Sequence, residues 1–183
     1  MPADDDIKII MYEFEPHLEK NGFTVKEIPV PAPSPRAEEF LDLCKRNICG
    51  AYDTNWGCPP GVGTISEITE SLKMYSTAYL VSKKYVLDTK DRDAIQTATD
   101  EITDAVRAAV NTVKDRTVKA FGDGGCKYCG VCTYPDDECR YPSQRIDSIS
   151  SHGFDMEEIL KQVGEKLVFG DDAITLYALI LVE

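Results

Sequence analysis

Apolar residues recur at three- and four-residue intervals through Ile95, Ala98, Ile102, Val106, Ala109 and Val113, the most sustained helical periodicity in the chain. That spacing lays one apolar stripe along a helix, so the pattern predicts a helix over 88–120, a strut with no chemistry on it. Three stretches read instead as strands. Phe23 to Val30 alternates apolar and polar positions, and Pro29 and Pro31 confine it to an edge or an end. Thr77 to Val86 is rich in β-formers, and Ile174 to Val182 is almost continuously apolar, as a strand in the middle of a sheet should be. Shorter helices are expected after Ser34-Pro35, with Phe40, Leu41 and Leu43 facing inward, over 65–74 behind Thr64 or Ser66, and over 156–163 before Gly164. Ile10, Phe14 and Leu18 predict a further helix over 6–21, interrupted by Pro16. The expected fold is α+β: a small sheet of three or more strands, at about 23–30, 76–86 and 173–182, covered on one face by helices.

The chain has 183 residues, enough for one domain with a real core, and it is read as a single α+β domain over 1–183. Hydrophobic residues at 43% and charged residues at 28% exclude wholesale disorder. A net charge of −12 and a pI near 4.6 argue against nucleic acid and anionic lipid as partners, since both require a positive field. The opening MPADDDIKII has no apolar core of signal-peptide length, and no stretch approaches the roughly 20 apolar residues that cross a bilayer, so a cytoplasmic home is expected. Seven cysteines in such a compartment are better explained as metal ligands than as disulfides, and an odd number cannot pair off fully.

Those cysteines fall in two loops, 44–60 and 122–142, expected to come together at one end of the fold. The second reads GGCKYCGVCTYPDDECRYP and holds Cys126, Cys129, Cys132 and Cys139. Thiolates at i, i+3 and i+6 can wrap one compact polynuclear centre, and a spaced fourth can close it, which points to a [4Fe-4S] cluster. The longer arm before Cys139 departs from the bacterial ferredoxin run in its second half. Four-cysteine zinc is the alternative, although zinc more often uses two separated CxxC pairs or a pair followed by histidines.

The first loop, CKRNICGAYDTNWGCPPGVG, brings Cys44, Cys49 and Cys58 beside the only tryptophan, Trp56. Two fully thiolate-ligated cubanes need eight cysteines, so this second set is short by one ligand. An open iron, a [3Fe-4S] cluster, or completion by Asp53, His17 or His152 are the readings that follow. The chain lacks G-x-G-x-x-G, a P-loop, G-x-S-x-G and the radical-SAM spacing.

The ordered set C-x4-C, NWGCPP, GGC-x2-C-x2-C with its spaced CRYP, then GFDM and a terminal LYALILVE resembles the DUF2284 family of predicted metal-binding proteins, over about Cys44 to Glu183. The resemblance implies metal binding through these same seven cysteines, in prokaryotes that are often anaerobic, and implies no settled reaction. The functional expectation is an iron–sulfur protein with one or two [4Fe-4S] clusters, acting in electron transfer with a redox partner protein or as a small reductase subunit. The alternatives are a zinc-stabilised interaction module and a cluster carrier.

Overall fold

The structure, a computed structural model, describes Phe14 and residues 16–183. Five strands, β1 (Thr24–Ile28), β2 (Thr77–Val86), β3 (Val118–Gly122), β4 (Ile146–Ser148) and β5 (Ala173–Val182), form one mixed sheet in the order β1-β2-β5-β3-β4. Every pairing is antiparallel except that of β3 with β4. The apolar run of β5 lies at the centre and the proline-flanked β1 at an edge, each for the reason its sequence suggests.

The helices are α1 (Ala37–Lys45), α2 (Ile65–Leu72), α3 (Arg92–Val110) and α4 (Met156–Gln162), with 3-10 turns over Pro142–Gln144 and Ser150–His152. Thr64 caps α2 in a reciprocal capping box with Glu67, and Asp91 caps α3 by accepting from the backbone N–H groups of Asp93 and Ala94.

Both faces of the sheet are covered, where the periodicity implied one. Ala98, Ile102, Val106 and Ala109 of α3 pack with Phe14, Leu18 and Phe23 against Tyr79, Val81, Ala178 and Ile180. On the opposite face Ile68 and Leu72 of α2 and Ile159 and Leu160 of α4 meet Leu80, Phe121, Leu179 and Leu181. Alternate residues of β2 and β5 supply the two cores, because successive side chains of a strand point to opposite faces.

The long helix is shorter than its pattern, ending at Val110, and Val118–Gly122 is a strand instead of its last turn. The apolar spacing runs on to Val113, but the polar Lys114-Asp115-Arg116 breaks it. Thereafter Ala120 faces one core and Phe121 the other, a period of two. In α1 Phe40 and Leu41 are half-buried and Leu43 is 52% exposed, so this helix does not bury the face expected of it. The start of the predicted 6–21 helix, with Ile10, lies outside the described residues. No helix among the described residues is long and apolar enough to cross a membrane.

One connection positions the chemistry. Because β3 and β4 are parallel neighbours, residues 123–145 must carry the chain from the end of one strand back to the start of the next. Such a crossover usually contains a helix that covers the sheet. Here it contains four cysteines and, apart from the turn Pro142–Gln144, no regular structure.

Candidate metal centre

Cys126, Cys129, Cys132 and Cys139 all line one small cavity, walled by Trp56, Tyr128, Tyr141 and Arg145. Each is half-buried, and none is in a disulfide. Tyr128 and Tyr141 meet edge to face at 5.3 Å, and the Arg107 guanidinium lies 4.9 Å from the centre of the Tyr128 ring. Lys127 Nζ donates to Gln96 Oε1 of α3 at 2.9 Å, which pins the start of the crossover to the helix beside it. Gly124 and Gly130 adopt left-handed backbone, with φ of 79° and 71°, turns in which a β-carbon would be strained.

The first cysteine loop reaches the same region by packing on the outer edge of β4. Ser148 N donates to Gly57 O at 2.9 Å, so the loop supplies a backbone partner to the edge strand. Trp56 crosses to the second loop, its Nε1 donating to Asp137 O at 3.1 Å and its ring standing 4.9 Å from Tyr134, nearly perpendicular. Tyr134 in turn donates from its hydroxyl to Asp53 Oδ1 at 2.8 Å. At the seam the backbones approach closely: a β-carbon on Gly57 would lie 3.1 Å from that of Cys126, and one on Gly125 would lie 3.1 Å from Cys58 Sγ.

Cys44, Cys49 and Cys58 form their own electrostatic group. Cys44 sits in the last turn of α1, Cys49 is exposed and Cys58 is 5% exposed. Burial pushes the Cys58 thiol up to about 11; a hydrogen bond with Asn55 opposes this, while Cys49, Cys44 and Asp147 add to it. Burial likewise raises Cys44, with Cys49 adding and a hydrogen bond from Ser150 opposing. Thiols held protonated in this way surrender a proton when they bind a metal.

Of the three residues considered for completing this set, His152 is engaged elsewhere. It is buried, its Nδ1 is 3.1 Å from Ser148 O, and its Nε2 is 3.5 Å from Asp147 Oδ2. Burial holds its pKa down at about 4, against the opposing pull of Asp147, so the ring is neutral at pH 7. His17 is exposed in the N-terminal helical turn, and Asp53 is exposed with one oxygen taken by Tyr134.

Beside the four-thiol cavity lies a polar cluster that the sequence reading missed. Asp147, wholly buried on β4, is paired with Lys119 Nζ at 2.6 Å and Arg145 Nε at 2.7 Å. A buried carboxylate requires such partners. Burial lowers the Lys119 ammonium and Arg145 adds to that, while Asp147 pulls it back up. The only sequence signal for this cluster was an acid beside apolar residues in RIDSI; alternation sends it to the face opposite Ile146, and it is buried because that face is covered too.

Among the described residues no three Cys, His, Asp or Glu side chains stand where one metal ion could be held by all of them as they are. The donors that line the cavity are nonetheless thiols alone, with no carboxylate or imidazole among them. Comparison with curated proteins finds no match, and comparison with solved structures finds none. The model of DUF2284, described as a predicted metal-binding protein, matches residues 32–182, which takes in both cysteine loops and all five strands but β1. The chain therefore belongs to the DUF2284 family of predicted metal-binding proteins.

Proposed function

We propose that the chain is an iron–sulfur protein in which Cys126, Cys129, Cys132 and Cys139 hold a [4Fe-4S] cluster, and Cys44, Cys49 and Cys58 hold a second centre with one position not filled by cysteine. The observation that carries this reading is the convergence of four thiols, and no other donor type, on one cavity with aromatic walls. The crossover supports it. A connection between parallel strands that lacks a covering helix needs some other source of order, and metal bound to its thiols would provide it.

The spacing of donors favours a polynuclear centre over zinc. Around one zinc ion, with bonds of about 2.3 Å, tetrahedral sulfurs lie about 3.8 Å apart. Thiols at i, i+3 and i+6 of one loop, in place of two separated CxxC pairs, suit a polynuclear core better. Such a cluster supplies one-electron redox chemistry when bound. The protein's part is to exclude water with Trp56, Tyr128 and Tyr141, to orient the thiolates, and to set positive charge beside them through Arg145 and Lys119. The role that follows is electron transfer to a partner protein, or service as a small reductase subunit.

Iron and acid-labile sulfide per chain, measured on anaerobically purified wild type and Cys58→Ser, test this directly. Wild type should be brown, with broad absorption near roughly 400 nm, and the variant should lose the iron of one centre while keeping the other. Colourless, redox-silent protein loaded with zinc would replace this reading with a zinc-stabilised interaction module. Transfer of the cluster to an apo acceptor would mark a carrier.

A further inference from the structure

The strand β4 pairs only with Ala120–Gly122, so the flank of Val118 and Lys119 that faces it has no strand neighbour among the described residues. The notch this leaves is a cavity of about 210 Å3. A water molecule takes about 30 Å3 in the liquid, and sites for drug-sized ligands begin near 300 Å3, so the space suits a small multi-atom ion and not a nucleotide.

Its polar lining is cationic: Arg107 from α3, Lys119 from β3 and Arg145 at the start of β4, with Tyr75, Ser143 and Gln144 beside them. Three cations face two carboxylates. Asp147 lies between Lys119 and Arg145, and Asp104 pairs with Arg107 at 2.6 Å from an exposed position, where such a pair is weak. One positive charge is left over, in a protein whose net charge is −12. Arg145 meets Asp147 at two points, its Nε 2.7 Å from Oδ1 and its Nη2 donating to Oδ2 at 3.1 Å.

The wall is held in place before any ligand arrives. Arg107 Nε donates to Gln144 O at 3.0 Å, and Asn111 and Gln144 exchange side-chain amide hydrogen bonds at 3.0 and 2.6 Å. Each guanidinium keeps one terminal nitrogen, Nη2 of Arg107 and Nη1 of Arg145, that makes no hydrogen bond among the described residues and can donate to a carboxylate or tetrahedral oxyanion.

We propose that this notch is a binding site for a small oxyanion carrying one or two negative charges. Arg145 lines both the notch and the four-thiol cavity, so the bound anion stands one side chain away from the cysteines. The notch is lined by no cysteine, so anion binding there and iron at the thiols are read by separate measurements.

Titration calorimetry of the as-purified protein under argon, with sodium phosphate and then sodium acetate against a chloride background, tests the site. Saturable binding of either anion is expected, weakening as chloride is raised. Arg107→Gln and the surface variant Ser143→Asp should each weaken it about tenfold or more, the first by removing a charged donor and the second by adding a carboxylate at the rim. Lys161→Gln, on the remote helix α4, should leave it unchanged. The relative affinities distinguish a tetrahedral from a planar ligand. Absence of saturable binding, or binding indifferent to both Arg107→Gln and Ser143→Asp while those variants melt as wild type does, overturns the proposal.

Discussion

The contact between the two cysteine loops rests on Gly125, and adding one methyl group there tests it. A β-carbon on Gly125 would lie 2.9 Å from Asn55 Nδ2, 3.1 Å from Ala51 Cβ and 3.1 Å from Cys58 Sγ. Asn55 cannot swing aside freely. It is buried, its Nδ2 donates to Ala51 O at 3.2 Å and to Thr54 Oγ1 at 3.1 Å, and its Oδ1 accepts from Gly57 N at 2.9 Å.

Overpacking of this kind costs about 1–3 kcal/mol, and the lower entropy of the unfolded alanine chain returns about 0.4–1 kcal/mol. Gly125→Ala should therefore destabilise the chelated, reduced protein by about 1–2 kcal/mol, a fall in Tm of about 2–8 °C for a chain of this length. The first loop should also lift away from the second. Buried and protonated, Cys58 should alkylate slowly in wild type and markedly faster in the variant, as read by mass spectrometry of its peptide. Gly124→Ala separates this from backbone strain: its β-carbon meets nothing within 4 Å, but its φ is 79°. That variant should lose about 1 kcal/mol with no change in Cys58 labelling. A Gly125→Ala protein with the Tm and the Cys58 labelling rate of wild type would refute the packed seam.

Two further outcomes follow from the polar cluster on β4. Asp147→Asn, measured by urea denaturation, should cost about 3 kcal/mol, because it leaves Lys119 and Arg145 half-buried without their counter-charge; a loss under 1 kcal/mol would contradict that pairing. His152 has a folded pKa near 4 against an unfolded value of about 6.5, so the unfolded chain binds the extra proton between these values. Its contribution is fully present above pH 6.5 and is lost as pH falls toward 4, by about 3 kcal/mol in all. Replacing His152 with Gln should flatten that part of the stability profile of the metal-free protein, and an unchanged acid slope would show that the ring does not carry it.

Local pattern in this chain was enough for what local physics decides. A run as apolar as ITLYALILV can only be buried on both sides, and β5 is the central strand. Thiols at three-residue intervals in one loop cannot be far apart, and the four of them line one cavity. The tertiary structure decided what depends on which strands become neighbours. Val118–Gly122 reads as the tail of a helix until β5 accepts it as a strand, and the three residues of β4 are too few to announce themselves by periodicity. Once those two strands lie parallel, the cysteine segment becomes their crossover, Gly57 is drawn onto the outer edge, and Asp147 is buried between Lys119 and Arg145. Periodicity reports how each residue meets its own element's face, whereas strand order is a property of pairings between distant segments, so the cationic notch beside the thiols exists only in the folded chain.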